Sequence, residues 1–155
     1  MQLNELSNIK AHLIGLSDQC GRAHMIDRPG NSGAARVELD HRGELVLETL
    51  DGFCLEKSVD RLDVIKIDVE GFEERVLKGG ERTLTRCRPT ILIELNPTAL
   101  TQASSSPQAV VELLQEWGYC LYETYKRVLR PLVNVPSGEG YVDVFCVHRE
   151  KVRQE

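Results

Sequence analysis

Acidic side chains follow a short apolar stretch near the middle of the chain, in IKIDVEGFE at residues 65–73. Asp68 and Glu70 stand two residues apart, so they project from the same side if the extended conformation continues to Glu70. Carboxylates at this spacing could hold a hydroxyl-bearing ligand, bind a divalent cation, or act as a general base toward a substrate hydroxyl. The alternative is structural: Asp68 or Glu70 caps the following helix, and Glu73 and Glu74 complement its dipole.

A second polar strand end follows along the chain. Glu94 and Asn96 close the apolar stretch TILIEL, residues 90–95, much as Asp68 and Glu70 close theirs. In open α/β sheets, ligands bind beyond the carboxyl ends of parallel strands. The two strand ends together therefore predict a pocket at one edge of the sheet.

Strands and helices must alternate to bring these acids together. The hydrophobic pattern predicts buried strands at 9–16, 61–68 and 90–95, the second of them covered on both faces. Two helical segments fill the interval between the last two, in GFEERVLKGG at 71–80 and in the piece that ends at Arg88. Lys66, inside a strand, is interpreted as an edge or snorkelling lysine.

The ends of the chain extend this pattern. Ser106 followed by Pro107 predicts a helix start, and strands are expected at 119–125 and 141–147. The remaining expectations are hairpin-like strands without a helix at 22–48 and the last turns of a helix at 1–8. This order predicts an α/β sheet of doubly wound type, with the last two strands forming an antiparallel hairpin on one edge.

Length and composition bound the classes of function. The chain has 155 residues, the length of one ordinary domain, so we treat 1–155 as a single domain. A net charge of −5 disfavours nucleic acid as a partner. No apolar run approaches the roughly 20 residues that cross a bilayer, and the first residues do not resemble a secretory signal, so we expect no membrane partner and a cytoplasmic location.

The cysteines and histidines point to no metal site. Five widely spaced cysteines form no CxxC pair, and we expect them to be reduced and mostly buried. The four histidines lack metal-binding spacing. A magnesium site at Asp68, Glu70 and Glu94, as in a hydrolase, stays open as a weaker alternative.

The order of these segments resembles a known family. DVIKIDVEGFEERVLKGGERTLTRCRPTILIEL, residues 63–95, is similar to the signature of the FkbM family of S-adenosylmethionine-dependent methyltransferases. The shared features are the lysine, the acid, the acid-glycine pair, the later Leu-Lys-Gly, the Arg-Pro, and the strand that ends in glutamate. Flanking resemblances lie at LIGLSDQCG (13–21), GNSGAARV (30–37) and ETLDGF (48–53), so the likeness covers most of residues 9–125.

The resemblance implies a fold and an assignment of the site. The fold is a Rossmann-like class I methyltransferase sheet of seven strands, of which this chain supplies the third onward. Ser17 and Asp18 would approach the adenine ring of S-adenosylmethionine. Asp68 would lie beside the methyl-transfer centre, as a cofactor contact and, with Glu70, as a catalytic acid. The acceptor side would carry Glu94 and Asn96, and the acceptor would be a small molecule or sugar, most simply through a hydroxyl.

The chain departs from the family in its first part. Family members begin with a strand, a turn of Asp-x-Gly-Ala-Asn-x-Gly type, a helix, and a second strand ending in an acid, and this sequence has no counterpart of them. GNSG, KGG and GEG neither follow a strand nor open a helix in the required way.

We therefore expect a partial domain, incomplete on its N-terminal side and with a gap in the middle of the sheet. A complementing N-terminal half or a homo-oligomer could fill that gap. The rival hypothesis is a non-catalytic remnant that serves as an interaction module.

Overall fold

The computed structural model describes residues 6–28 and 31–152, and within them the strands form two separate sheets. The first sheet has the order β1-β4-β2-β3, in which β1 and β4 are parallel and the other pairs antiparallel. Its strands are β1 (Gly15–Leu16), β2 (Gly21–Arg28), β3 (Asn31–Leu39) and β4 (Leu45–Glu48). The prediction of hairpin-like strands without a helix is confirmed for the described residues of 22–48, that is, 22–28 and 31–48.

The second sheet carries the predicted strand ends. Its order is β5-β6-β9-β7-β8, with β5 and β6 parallel and every other pair antiparallel. The strands are β5 (Val64–Ile67), β6 (Thr90–Leu95), β7 (Tyr119–Tyr125), β8 (Val128–Pro131) and β9 (Val142–His148). The last two predicted strands do pair antiparallel, but β9 lies between β6 and β7, so their predicted position on one edge is wrong. The edge belongs to β8, which the sequence did not predict.

Five α-helices connect the strands of the described chain. They are α1 (Leu50–Glu56), α2 (Glu73–Gly79), α3 (Glu81–Cys87), α4 (Pro97–Gln102) and α5 (Pro107–Glu116). The predicted helices at 71–80, at the segment ending at Arg88 and after Ser106 are confirmed. Ser106 and Asn96 accept hydrogen bonds from backbone amides in the first turns of α5 and α4, and Thr49 does so for α1. The sequence did not predict α1 or α4.

The core lies on one face of the second sheet. Ile91, Ile93 and Leu95 are fully buried, whereas the alternate residues of β6 are only half-buried. All five helices contribute buried apolar residues to the cluster on this face. On the other face Val64 is 65% exposed. The expectation that the strand at 61–68 is covered on both faces is wrong, because Val64 and Lys66 are exposed on the face opposite the buried Ile67.

The first predicted strand is shorter than expected. Only Gly15 and Leu16 pair with β4, and the segment at 9–14 has no regular structure, with Leu13 94% exposed. Of the helix expected at 1–8, residues 1–5 lie outside the described part and residues 6–8 are not helical. A strand needs a partner on at least one edge, and β1 finds one for two residues. Both β1 and β5 stand at an end of their sheets.

The two sheets meet through β1 and α2. A Cβ built on Gly79, at the end of α2, would lie 2.0 Å from the carbonyl oxygen of Ser17, so only glycine permits this approach. Leu16 packs against the core cluster of the second sheet. Ser17 and Asp18 are thereby held against α2.

Candidate active site

The first predicted strand end carries a lysine and an acid in contact. The Lys66 ammonium donates a hydrogen bond to Asp68 Oδ2 over 2.5 Å, and the two side chains are 58% and 38% exposed. This hydrogen bond and the charge of Asp68 raise the pKa of Lys66. Lys66 points away from the helix-covered face, next to exposed Val64, so the interpretation as an edge lysine agrees with its position.

The chain turns sharply after Asp68. Glu70 has φ of +51° and Gly71 has φ of +109°, so the extended conformation does not reach Glu70. The condition under which Asp68 and Glu70 would project from one side is therefore not met. Capping by Asp68 or Glu70 is also wrong, because Phe72 is the N-cap of α2 and no side chain caps it, but Glu73 and Glu74 do lie in the first turn as that alternative expected.

Glu94 brings the acids together at the end of β6. The register pairs Ile67 with Ile93 across β5 and β6, and Glu94 with Asp143 across β6 and β9. Burial raises the pKa of Glu94, and the charges of Asp68, Glu70 and Asp143 raise it further. The two parallel strands therefore place Asp68 and Glu94 at the same end of the sheet, the carboxyl end of β5 and β6.

Asp143 is a member of this group that sequence reasoning missed. It lies on β9 directly opposite Glu94. The alternation of YVDVFCV placed Asp143 on a strand, but the pairing of that strand with β6 is a contact between distant segments. We call Asp68, Glu70, Glu94 and Asp143 the strand-end acids.

Asn96 already has a structural use. Its Oδ1 accepts a hydrogen bond from the Ala99 amide at 3.2 Å and so caps α4. The amide nitrogen of Asn96 stays available to donate to an acceptor, and Oδ1 retains a second lone pair. The sequence pattern showed a polar strand end and did not reveal the helix that follows it.

A small cavity opens beside Glu70. It has a volume of about 170 Å³ and is bounded by the turn after β5, by α4 and by β3 of the first sheet. Its lining includes Glu70 and Phe72 on one side and Glu38 and Gln102 on the others. The cavity shows that both sheets contribute to the region around the strand-end acids.

Ser17 and Asp18 lie in a different and larger cavity. Ser17 is 1% exposed, and its hydroxyl donates to Asp18 Oδ1 over 3.0 Å. Arg75 of α2 donates to the same oxygen, also over 3.0 Å. Burial alone would raise the pKa of Asp18, but the hydrogen bonds from Ser17 and Arg75 outweigh it and the pKa is lowered.

The cavity at Asp18 has a volume of about 540 Å³, and its lining includes Arg22 and His41. Asp68 is not among the residues that line it. Arg75, which the sequence analysis missed, connects the two regions, since its guanidinium lies 5.4 Å from the centre of the Phe72 ring. Arg75 lines the cavity of Ser17 and Asp18, and Phe72 lines the small cavity at Glu70, so this pair lies between the two cavities.

The glycines of the described residues form no cofactor-binding turn of the expected kind. Gly79 ends α2, Gly80 lies between α2 and α3, and Gly138 and Gly140 lie in a segment without regular structure. Gly30 of the GNSG segment lies outside the described residues, and Gly33 belongs to β3. In this part of the chain no glycine-rich turn connects a strand to a helix in the way that cradles a cofactor.

Among residues 6–28 and 31–152, no three His, Cys, Asp or Glu side chains are grouped so as to hold a metal ion. None of the helices in those ranges has the length and apolar composition needed to cross a membrane. All five cysteines are free, but only Cys54 and Cys146 are buried, so the expectation that most would be buried is wrong.

Comparison with known proteins decides the family. The methyltransferase FkbM domain matches residues 4–121, about three quarters of the chain. The chain belongs to the FkbM methyltransferase family. The 2-O-methyltransferase NoeI of Sinorhizobium fredii (strain NBRC 101917 / NGR234) is 28% identical over 131 residues, which cover 72% of this FkbM chain and 54% of NoeI. The chain therefore spans about half the length of this curated relative. No solved structure matches it.

Proposed function

We propose that this chain is part of an S-adenosylmethionine-dependent O-methyltransferase domain with a Rossmann-like sheet, acting on a hydroxyl of a small molecule or sugar. The observation that carries the proposal is the meeting of Asp68 and Glu94 at the carboxyl ends of two neighbouring parallel strands. Ligands bind at such strand ends in α/β sheets. Membership of the family and the hydroxyl acceptor named for NoeI support the reaction class.

When bound, the cofactor would supply an electrophilic methyl group on a sulfonium. The protein would hold the acceptor hydroxyl in line with that methyl and remove its proton. Asp68 and Glu70 are the proposed bases, with Glu94 and the amide nitrogen of Asn96 on the acceptor side. A positioned base contributes about 10²- to 10⁴-fold to the rate.

Glu94 is a second choice for the base. A general base works best when its pKa is near the working pH, and burial together with the neighbouring acids raises the pKa of Glu94. Asp68 is held by Lys66, whose ammonium competes with a substrate proton for the same oxygen. Separate substitutions of Asp68 and Glu94 distinguish the two assignments. The variant that lacks the base loses turnover while its affinity for the cofactor is unchanged.

Ser17 and Asp18 are proposed for the adenine side of the cofactor. The cavity of about 540 Å³ beside them offers space, but Arg75 already occupies the Asp18 carboxylate. A nucleoside there would compete with Arg75 or accept a hydrogen bond from it.

The partial-domain proposal accounts for two of the four edge strands of the described chain, β1 and β5. β1 and β5 each stand at the end of a sheet, and the missing elements of the family would pair with both. Unpaired edge strands with exposed apolar residues are a liability for a protein that acts alone. A complementing segment that supplies strands between β1 and β5 is therefore the proposed partner.

The rival function is an interaction module without catalysis. The open edge of β5 and the helix-free face of its sheet favour it, because such an edge can accept a strand from another protein. The two functions differ in one respect: a module forms the complex but transfers no methyl group.

The test uses the part of NoeI that this chain does not match, which we take as the complementing segment. The chain is co-expressed with it, and the product is the completed complex. We expect calorimetry to show micromolar binding of S-adenosylmethionine by the completed complex and no binding by the chain alone. Methyl transfer to a sugar hydroxyl by the complex would support catalysis. Micromolar binding by the chain alone, or no complex with the complementing segment, would overturn the partial-domain proposal.

A further inference from the structure

Glu73 has an unusual environment for a carboxylate at the start of a helix. It is the first residue of α2 and only 3% exposed. Oε1 accepts hydrogen bonds from the Val69 amide at 3.2 Å and the Gly71 amide at 3.3 Å, and Oε2 lies 3.1 Å from the same Gly71 nitrogen. The side chain therefore turns back from the helix and binds the backbone of the turn that precedes it.

The neighbouring Glu74 forms the polar contacts that are usual for an acid in the first turn of a helix. Glu74 forms an ion pair with Lys78 one turn along α2 and accepts a hydrogen bond from Ser105. An acid at this position suffices to complement the helix dipole. Burial of Glu73 is not needed for that purpose, and it is costly, since burial raises the pKa of Glu73 by disfavouring its charge.

The two amides that Glu73 binds flank Glu70. Glu70 has a positive φ of 51°, a conformation that costs free energy in a residue with a side chain and persists when the surroundings enforce it. The charge of Glu70 also acts on Glu73, so the two carboxylates are near each other. By holding Val69 and Gly71, Glu73 fixes the backbone on both sides of Glu70.

We propose that Glu73 is a positioning residue. Its buried carboxylate locks the turn at 69–71 and so fixes the positions of Asp68 and Glu70 at the carboxyl ends of β5 and β6. The role of this turn in methyl transfer rests on the proposed function. The lock itself does not, because it is a property of the folded chain. The two parts are therefore tested separately.

The lock is tested on the chain alone by amide hydrogen exchange. In Glu73→Ala the amides of Val69 and Gly71 lose their acceptor, and we expect both to exchange at least about tenfold faster, the effect of losing a hydrogen bond to a charged group. Amides of β6 should keep their wild-type rates. Glu74→Ala is the matched control, since it removes the neighbouring carboxylate and leaves Val69 and Gly71 bonded. Unchanged exchange at Val69 and Gly71 in Glu73→Ala would overturn the lock.

The consequence for catalysis is tested in the completed complex. A displacement of about 1 Å at reacting groups costs on the order of 10²-fold, so Glu73→Ala should lower kcat by about that factor with little change in KM. Glu73→Gln keeps one oxygen that can accept from both amides, and it should recover most of the lost kcat.

This rescue distinguishes positioning from a general loss of folding. If folding were the cause, the loss of kcat in each variant would follow the fall in its melting temperature. Wild-type kcat in Glu73→Ala, or an equal loss in Glu74→Ala, would overturn the positioning role. Faster exchange in Glu73→Ala together with no methyl transfer by the wild-type complex would uphold the lock and reject the proposed function.

Discussion

At the scale of single residues, the candidate site is a set of carboxylates that influence one another. Glu94 lies between Asp68, at the end of β5, and Asp143, opposite it on β9. Like charges disfavour ionisation, and partial burial acts in the same direction. As a result the pKa of Glu94 is raised, and Asp68 beside it accepts a hydrogen bond from Lys66.

Glu94 should therefore titrate above the ordinary range of a glutamate. Carboxyl carbon NMR across the acid range measures this directly, and Asp143→Asn should lower the pKa of Glu94 because one like charge is removed. Asp63→Asn is the control, since Asp63 is exposed and bonded to Arg61. An unchanged Glu94 titration in Asp143→Asn would show that Asp143 does not act on it.

The sign of the effect on stability follows from the direction of the shift. A carboxyl whose pKa is higher in the folded state than in the unfolded state binds more protons when folded. Its contribution to stability is present below the unfolded pKa and is lost as the pH rises through the folded pKa. Glu94→Gln should remove this part of the pH dependence.

At the scale of elements, the turn between β5 and α2 depends on a glycine as much as on Glu73. Gly71 has φ of +109°, and a Cβ there would lie 2.5 Å from the carbonyl oxygen of Ala99 in α4. The backbone of the turn and the start of α4 are therefore in direct contact. Neither the conformation nor the contact permits a side chain.

Gly71→Ala should destabilise the protein by about 2 kcal/mol or more, since backbone strain and overpacking each cost about 1 to 3 kcal/mol. Gly138→Ala is the matched control, because Gly138 also has positive φ, +91°, but has open space around its Cβ position. Urea unfolding measures both. Equal losses in the two variants would mean that contact with Ala99 contributes nothing.

Local signals account for the elements that the sequence predicted. Ser106 and Pro107 mark the start of α5, and the alternation in TILIEL marks β6, because capping and strand alternation act within a few residues. Insertion of β9 between β6 and β7 depends on the pairing of β9 with β6, for example Ile91 with Cys146, which are far apart in the chain. No local pattern encodes such a contact. The same holds for Arg75 on Asp18 and for Asp143 opposite Glu94. The two acids at the parallel strand ends were predictable because Asp68 directly follows β5 and Glu94 is the second-last residue of β6.

At the scale of the whole molecule, the second sheet has a covered face and an open one. Ile93 is fully buried under the helices, and its neighbour Leu92 points to the other side and is half-buried. The open face also carries Phe145 and Val147, both half-buried, on β9. This asymmetry is what a sheet lacking part of its cover would show, and it supports the partial-domain proposal.

Ile93→Ala should lower the free energy of unfolding by about 2 to 5 kcal/mol, the range for large-to-small substitutions in a packed core. Leu92→Ala, on the same strand, should cost clearly less in the isolated chain because its side chain already contacts solvent. Chemical denaturation of the two variants measures the difference. Equal losses would contradict the one-sided core.

The central claim is that Asp68 and Glu94, at the carboxyl ends of β5 and β6, form one site that holds and deprotonates an acceptor hydroxyl. The most direct measurement is the initial rate of methyl transfer by the completed complex carrying Asp68→Asn, beside wild type and the Asp63→Asn control. Loss of a general base predicts a rate lower by about 10²- to 10⁴-fold, with binding of S-adenosylmethionine retained. A wild-type rate in Asp68→Asn would contradict the account.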